Sequence, residues 1–334
     1  MKRRVVIFGI MLIYSLGVSL LLAATLDEIK QAISKGAKGK ITLYVVDSKG
    51  NPVAGAQVGA GFYNQNKTGD GNGALGKTDS EGMFTATGTS TVDMHYQISK
   101  VGYYATEGSY VFCRAGDPNT VKDGRWQPWN PTNTVVLKEV RHPVAMFARQ
   151  LEIEMPAQNI TVGFDLEKGD WIAPYGKGIQ PDLLFRYANT NTGPNYLDYS
   201  RQLEMTFSNP NDGVQVLPVD GTSKLESLYE APESGYSPRL LLQCSRTLYK
   251  IINETEIKED QYLVFKVRSS ADNHGSITNT KYGKIYGPIQ YGVLSGHHII
   301  FNYYFNPDGT RNLEFDSKKN LFKNLKPLEQ VTAP

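Results

Sequence analysis

The stretch that decides the fold is ITLYVVDSKGNPVAGAQV, residues 41–58. Its first part alternates apolar and other side chains, with Ile41 and Val45 on one side, which is typical of a strand with one buried face. Residues 47–52 then provide the Asp, Gly, Asn and Pro that turns favour. Apolar residues alternate again from Ala56 onward. The stretch therefore predicts two strands joined by a tight turn.

The same pattern continues through the next eighty residues. A second turn at residues 77–82 leads into Phe84, and residues 93–98 alternate once more. A last strand at residues 134–140 completes the set. We therefore predict a β-sandwich over residues 40–140, because strands with one apolar face must pack that face against a second sheet.

Three short motifs of this region resemble those of a known family. They are Asp-x-x-Gly-x-Pro-Val-x-Gly-Ala-x-Val from Asp47, Thr-Asp-x-x-Gly-x-Phe from Thr78, and Ile-x-Lys-x-Gly-Tyr from Ile98. Together they are similar to the carboxypeptidase regulatory-like module, a prealbumin-type β-sandwich that is an accessory domain and not a catalytic one. The resemblance implies a fold and no activity. It also implies the core positions Ile41, Val45, Val58 and Phe84.

The N-terminal residues 1–24 are typical of an export segment. Met1-Lys-Arg-Arg4 is cationic, and residues 5–24 carry no charge. Twenty uncharged residues are also long enough to span a bilayer, so the segment is either a cleaved signal peptide or a retained membrane anchor. Both alternatives place everything from Thr25 onward outside the cytoplasm, as a periplasmic, secreted or membrane-anchored protein.

The remainder of the chain is also predicted to be β-rich. A short helix and linker at residues 25–39 precede the sandwich, and a second β-rich domain of unknown function is predicted at residues 141–326, where strand-like runs alternate with turns. The predicted fold class is all-β, with two β-sandwich-type domains in tandem after the signal or anchor. Cys113 and Cys244 fall in different domains, and two buried thiols or one bridge are both open.

The C-terminal region carries a second resemblance. The pieces Phe164-Asp-Leu-x-x-Gly-Asp-Trp171 and Tyr303-Tyr-Phe-Asn-Pro307 look like those of a group of uncharacterised exported bacterial proteins. This resemblance implies export and no particular activity.

Composition and motifs argue against a catalytic function and against nucleic-acid binding. The 35 basic and 33 acidic residues nearly balance, so no overall field favours a polyanion. We find no Gly-x-Ser-x-Gly, no His-Glu-x-x-His, no Cys-x-x-Cys and no phosphate-binding glycine loop. We therefore predict a non-catalytic exported or cell-envelope protein without a cofactor, which acts as a binding or structural module through loops. Its expected partner is a glycan or a cell-surface protein, and it meets a membrane only through residues 5–24 if these are retained.

Four aromatic side chains in loops are the candidate ligand contacts: Trp126, Trp129, Trp171 and Tyr175. Trp126 and Trp129 lie in a Pro-rich segment at residues 114–133. This segment and residues 64–76 are predicted to be two irregular loops. Aromatic residues in such places either cap a core or present a stacking surface, and both alternatives stay open. For Trp171 we expect burial at the junction of the two domains.

The acidic loop at residues 163–178 offers two further alternatives. Asp165, Glu167 and Asp170 are a weak calcium candidate, since calcium prefers carboxylate oxygens. Asp165 and Asp170 could instead be the carboxylate pair of an extracellular hydrolase. In the third interpretation both aspartates bind the backbone of their own loop, as Asp readily does.

Overall fold

The computed structural model describes residues 26–66, 72–114, 117, 120–191, 198–275, 277–293 and 297–334. The predicted signal or anchor at residues 1–24 therefore lies outside the described residues. The chain divides into two compact units. The first runs to Val140 and includes Thr222–Lys224, and the second comprises Arg141–Gly221 and Leu225–Pro334.

The first unit contains a helix and nine strands among its described residues. The helix α1 covers residues 26–35, and the left-handed Gly36 that follows donates its backbone N–H to the carbonyl of Ala32, which ends the helix. Buried Ala32 packs this helix against the sandwich core. No helix in the described ranges combines the length and the apolar character that a membrane crossing requires. The strands are β1 (Ala37–Asp47), β2 (Gln57–Phe62), β3 (Gly73–Lys77), β4 (Met83–Ser90), β5 (Asp93–Ser99), β6 (Thr106–Val111), β7 (Val121–Lys122), β8 (Arg125–Trp126) and β9 (Thr132–Leu137).

These strands form two sheets that face each other. One sheet has the order β4-β1-β8-β7 with β9 also paired to β1, and the other has the order β3-β2-β5-β6. The alternating apolar side chains predicted from the sequence line the space between the sheets: Ile41, Leu43, Val45, Val58, Ala60, Phe62, Met94, Tyr96 and Ile98. The alternate positions of β2 and β5 consequently point away from the core.

Two segments predicted to be irregular loops contain strands. The strand β3 begins within residues 64–76 and ends one residue beyond them, and β7 and β8 lie inside residues 114–133. The sequence of β3 is Gly-Ala-Leu-Gly-Lys, which has almost no β-forming side chains. It is held by backbone pairing with β2, so the prediction of a loop was wrong for a reason that local propensity cannot reveal.

The second unit contains eleven strands among its described residues. They are β10 (Phe147–Glu154), β11 (Thr161–Asp165), β12 (Asp170–Trp171), β13 (Leu183–Asn191), β14 (Tyr199–Thr206), β15 (Gly213–Pro218), β16 (Arg239–Thr247), β17 (Lys250–Thr255), β18 (Gln261–Ala271), β19 (Ile277–Val293) and β20 (His298–Asn306). Short 3₁₀ turns follow at Ser317–Lys319 and Pro327–Glu329.

These strands again form a sandwich, which confirms the all-β fold class. A five-stranded sheet has the order β10-β20-β19-β18-β15, and a six-stranded sheet has the order β12-β11-β13-β14-β16-β17. Between them lies an aromatic-rich core that includes Leu151, Phe164, Phe185, Leu203, Leu242, Phe265, Phe301 and Tyr303.

The five-stranded sheet also has a buried second face. Tyr262, Tyr286 and Tyr304 lie on this face and pack against Leu313 and Phe315 from the segment that follows β20. A sheet buried on both faces explains why residues 262–265 of β18 and 303–306 of β20 are buried at every position and do not alternate.

Candidate functional site

Trp126 is a core residue of the first unit. Its indole is fully buried, its Nε1 donates a hydrogen bond of 2.9 Å to the carbonyl of Ser90, and its ring stacks on Phe112. An indole without exposed surface has no face to offer a ligand. Of the two alternatives for this residue, the structure therefore shows core capping.

Trp171 is a core residue of the second unit. It packs edge-on against Phe164 and Phe185, and its Nε1 donates to the carbonyl of Glu154 at 2.8 Å. It is 3% exposed. The expectation that Trp171 is buried is met, but its place at a domain junction was wrong, because its packing partners belong to the inner core of its own sandwich.

Trp129 and Tyr175 keep exposed ring surface. Trp129 is 37% exposed and carries the guanidinium of Arg125 over its ring at 5.1 Å. Tyr175 is 45% exposed. The two residues belong to different units. Only these two of the four predicted aromatic contacts have surface available for stacking on a ligand.

Asp165 binds the backbone of its own loop. Its Oδ1 accepts hydrogen bonds from the N–H groups of Glu167 and Lys168, at 2.9 and 3.0 Å, and its Oδ2 accepts from Ile179 and Gln180, at 2.9 and 3.1 Å. Burial alone would raise the pKa of this carboxyl, but the four donors outweigh burial, so its pKa lies below the ordinary value. Because this carboxylate accepts four hydrogen bonds from backbone N–H groups, Asp165 holds the loop in its conformation.

Asp170 is used in the same manner. Its two carboxylate oxygens accept from the N–H groups of Trp171 and Lys177, at 2.8 and 2.9 Å. Both members of the predicted acid–base pair therefore bind loop backbone. This is the third interpretation that the sequence left open.

A guanidinium lies where the calcium candidate was placed. Arg268 donates through Nε and Nη2 to the two oxygens of buried Asp182, at 2.7 and 2.9 Å, and through Nη1 to Glu167. Asp165 Oδ1 is 3.9 Å from Nη2. Despite burial, these carboxylates raise the pKa of Arg268 above its ordinary value. Within the described ranges, no group of three or more His, Cys, Asp or Glu side chains is placed to hold a metal ion.

Calcium is therefore expected to leave thermal unfolding unchanged. A divalent cation near Asp165 and Glu167 would meet the positive charge of Arg268 within the Debye length. The measurement is the melting temperature in millimolar calcium and in chelator. A bound ion would instead add about 2.7 kcal/mol to the free energy of unfolding at a hundredfold excess over its dissociation constant, which would contradict this expectation.

A groove crosses the outer face of the sheet β3-β2-β5-β6. Its volume is about 1080 Å³, and it is lined by residues of all four strands. The strand register places Leu75, Gly59, Gln97 and Glu107 side by side in one row across the sheet. The register therefore sets Gly59 of β2 between the longer side chains of Leu75 on β3 and Gln97 on β5.

A second row of outward positions runs beside the first. It consists of Gly73, Gly61, His95 and Ser109, again one residue from each strand. In both rows the residue contributed by β2 is a glycine, so the floor of the groove is bare backbone beside the side chains of β5, and β3 contributes a side chain only at Leu75.

The polar side chains of the groove project into solvent from β5 and β6. Gln97 Nε2 donates to Glu107 Oε1 at 3.0 Å, and His95 Nε2 lies 3.8 Å from Asp93 Oδ1. On the opposite side Leu75 is 90% exposed. The groove therefore offers one apolar wall and one wall of mixed hydrogen-bond donors and acceptors.

The described residues give no steric or backbone reason for the glycines of β2. Neither Gly59 nor Gly61 has a left-handed φ, and a Cβ built on Gly61 meets nothing within 4 Å among the described residues. By contrast, a Cβ on Gly73 would clash with a backbone oxygen, and one on Gly108 with Tyr96. A glycine inside a strand weakens it and often marks a place where a ligand approaches the backbone closely.

Sequence reasoning missed this groove. The prediction used the alternating apolar residues from Ala56 onward and did not consider the glycines that lie between them, Gly59 and Gly61. The available signal was the spacing of two residues between them, which puts both on one face of the strand. Their neighbours on the groove could not be named without the register, since β3 was not predicted.

Comparison with known proteins adds little. No family model matches this chain, and no curated protein sequence is similar to it. Among solved structures, 3-chlorocatechol 1,2-dioxygenase from Rhodococcus opacus is 15% identical over 32% of this chain and 62% of that chain, with a TM-score of 0.25. Catechol 1,2-dioxygenase from Acinetobacter radioresistens is 17% identical over 33% and 55%, with a TM-score of 0.26.

A pilin gives a match of the same weakness. BcpA, the major pilin subunit of Bacillus cereus, is 11% identical over 75% of this chain and 68% of that chain, with a TM-score of 0.22. The chain spans less than two thirds of the length of the two dioxygenases. Likenesses at these TM-scores carry no argument about function, so the site has to be judged on its own geometry.

The second unit has a smaller cavity of about 290 Å³. Cys244 lies in its wall, with Sγ 3.8 Å from Glu254 Oε1 and 4.0 Å from Tyr199 Oη. Burial raises the pKa of the Cys244 thiol above its ordinary value. The neutral thiol is a poor nucleophile, so this cavity does not support thiol chemistry. Cys113 and Cys244 are both free.

Proposed function

We propose that this protein is an exported, non-catalytic binding protein whose groove on the first unit holds a segment of a neutral glycan. The observation that carries the proposal is the pair of glycines, Gly59 and Gly61, that lower the floor of the groove although no described residue requires a glycine there. The export part of the proposal rests on the cationic and uncharged segments of residues 1–24.

The chemistry of the groove fits a sugar chain. A sugar ring has apolar faces and a rim of hydroxyl groups, so it needs both contact surface and hydrogen-bond partners. The bare floor and Leu75 offer the first, and Gln97, Glu107 and Ser109 offer the second. The formal charges of the groove are few, which favours a neutral ligand over a polyanion.

The first unit is, in this proposal, a carboxypeptidase regulatory-like module. Support comes from the three motifs quoted above and from the two-sheet arrangement that they imply. The earlier expectation assigned binding to loops. The proposal moves it to a sheet face, because Trp126 and Trp171 have no exposed ring to offer. A hydrolase is the weaker alternative, since Asp165 and Asp170 both bind loop backbone.

Filling the groove should abolish binding without unfolding the protein. Gly61→Leu places a side chain into open space on an exposed strand position, where it costs no internal contact and removes a flexible glycine. Wild type and variant are compared for retention on cellulose, chitin, xylan and peptidoglycan sacculi, together with their melting temperatures. We expect at least a tenfold loss of affinity at an unchanged or higher melting temperature, equivalent to about 1.4 kcal/mol or more of binding energy.

The matched control is Thr87→Leu. Thr87 is exposed on β4, in the other sheet of the same unit, so the change enlarges a surface residue outside the groove. It should keep the retention of the wild type. Wild-type retention by Gly61→Leu, equal loss in both variants, or no retention of the wild type on any of the four materials would each contradict the proposal.

A further inference from the structure

The cavity of about 290 Å³ in the second unit is lined by both of its sheets. The six-stranded sheet supplies one wall, from β14, β16 and the end of β17. The five-stranded sheet supplies the other wall, from residues 288–291 of β19. We call this space the inter-sheet cavity. Ligand pockets typically span about 300 to 1,000 Å³, so the inter-sheet cavity suits a small ligand.

One wall of the inter-sheet cavity carries a cation and an anion in a single row. The strand register sets Arg201 opposite Cys244, and Cys244 opposite Glu254. Residues that lie directly opposite share a face of the sheet, and all three line the cavity. Arg201 and Glu254 therefore lie on strands about 10 Å apart, with the thiol between them. Glu256, two residues beyond Glu254, adds a second carboxylate at the same end of the row.

The guanidinium of Arg201 is oriented but not fully paired. Its Cζ lies 4.1 Å from the centroid of the Tyr199 ring, which fixes the plane of the guanidinium. Its Nε is buried and has no hydrogen-bond partner within the described part of the chain. Buried N–H groups without a partner are rare in folded proteins. The unpaired Nε therefore indicates an oxygen ligand that the chain itself does not provide.

The two carboxylates lie at the solvent side of the inter-sheet cavity. Glu254 and Glu256 are exposed residues, and Glu254 Oε1 lies 3.8 Å from Cys244 Sγ. Burial, and then the nearby Cys244 and Glu254, raise the pKa of Tyr291, so its ring stays neutral. The remaining wall is apolar and comes from Pro288 and Ile289. A positive group inside, negative groups at the rim and an apolar wall between them suit a ligand that combines all three complementary parts.

We propose that the inter-sheet cavity binds a free α-amino acid with an apolar side chain. Its carboxylate accepts hydrogen bonds from Arg201, and its ammonium group donates to Glu254 and Glu256. Its side chain packs on the rings of Tyr199 and Tyr291. A simple anion would meet the two carboxylates and a simple cation would meet the guanidinium, so a zwitterion fits better than either. This site belongs to the second unit and is independent of the glycan groove.

The first test uses the unmodified protein and three amino acids, L-leucine, L-methionine and L-phenylalanine. Binding is measured by isothermal titration calorimetry at pH 7, where the α-carboxyl group is ionised and the α-amino group is mostly protonated. Each amino acid is compared with its amide, which lacks the carboxylate, and with its N-acetyl derivative, which lacks the ammonium group. At least one amino acid should bind, and both of its derivatives should bind at least tenfold more weakly. No binding of any of the three at millimolar concentration, or a derivative that binds as well as its parent, would overturn the proposal.

The second test locates the binding in the inter-sheet cavity. Arg201→Met, and separately Glu254→Gln combined with Glu256→Gln, should each weaken binding at least tenfold. The matched control is Arg239→Met, which removes an arginine from the other end of β16 and should bind as the wild type does. Circular dichroism reports whether each variant is folded. Wild-type binding by a folded Arg201→Met or by the double variant, or an equal loss in Arg239→Met, would contradict the site. If Arg201→Met does not fold, the double variant and the amide comparison decide.

Discussion

Replacing Arg268 with methionine is expected to lower the free energy of unfolding by about 3–5 kcal/mol, the loss typical of breaking one partner of a buried ion pair. The guanidinium binds Asp182 through two hydrogen bonds and Glu167 through a third. The carboxylate of Asp182 has no exposed surface, so the variant leaves a buried charge without its counter-ion. Chemical denaturation followed by circular dichroism measures the loss.

The pH dependence of this loss has a defined sign. Burial raises the pKa of Asp182 above its ordinary value even beside the guanidinium, and removing Arg268 raises this pKa further, so the folded variant takes up a proton more readily than the unfolded chain. The deficit of the variant should therefore shrink as the pH falls from about 7 to about 5. Adding Asp182→Asn to Arg268→Met should recover part of the loss, because the two sites are directly coupled.

The control for Arg268 is Arg239→Met. Arg239 also pairs with a carboxylate, that of Glu204, but its side chain is 52% exposed. Exposed pairs contribute about 1 kcal/mol or less. Equal losses in the two variants, or a loss in Arg268→Met that grows at lower pH, would contradict the assignment of Arg268 as the counter-ion of a buried carboxylate.

Trp171→Ala is expected to cost a similar amount, about 3–5 kcal/mol, because it leaves a large cavity in a packed core. The ring contacts Phe164 and Phe185 at centroid distances of 5.4 and 6.0 Å, and its Nε1 hydrogen bond to the carbonyl of Glu154 is lost as well. The measurement is again the free energy of unfolding from chemical denaturation.

Trp129→Ala is the matched control for Trp171. It removes the same side chain at a position that is 37% exposed, where the contact with Arg125 is the main one lost. The expected cost is about 1 kcal/mol or less. A larger cost for Trp129→Ala than for Trp171→Ala would mean that the burial assigned to the two residues is reversed.

Much of the fold could be predicted from alternation. The strands containing Val58 and Met94 bury one face, whereas β1, which contains Ile41, is also buried at Thr42 and Val46 on its other face. A period of two is visible in the sequence wherever one face is exposed to solvent. In the second unit residues 262–268 and 298–304 were among the strand-like runs, and they correspond to β18 and β20. What could not be predicted is the second buried face of their sheet, which is covered by residues far along the chain.

The polar sites were harder to predict, because they depend on pairing between distant strands. Arg268 meets Asp182 across 86 residues of sequence, and Cys244 meets Tyr199 across 45. Neither spacing matches a local motif. The acidic loop was noticed for its density of carboxylates. The arginine that neutralises these carboxylates, Arg268, lies on β18, and its left-handed φ of 57° cannot be read from the sequence.

The groove of the first unit is tested most directly by nuclear magnetic resonance. Amide correlation spectra of the ¹⁵N-labelled protein are recorded while it is titrated with oligosaccharides cut from whichever of the four polysaccharides retains it. The account predicts shifts at the amides of Gly59, Gly61, Gln97 and Ser109, two on the floor and two on the polar wall. Shifts confined to the exposed aromatic loops around Trp129 and Tyr175, with these four amides unmoved, would contradict it.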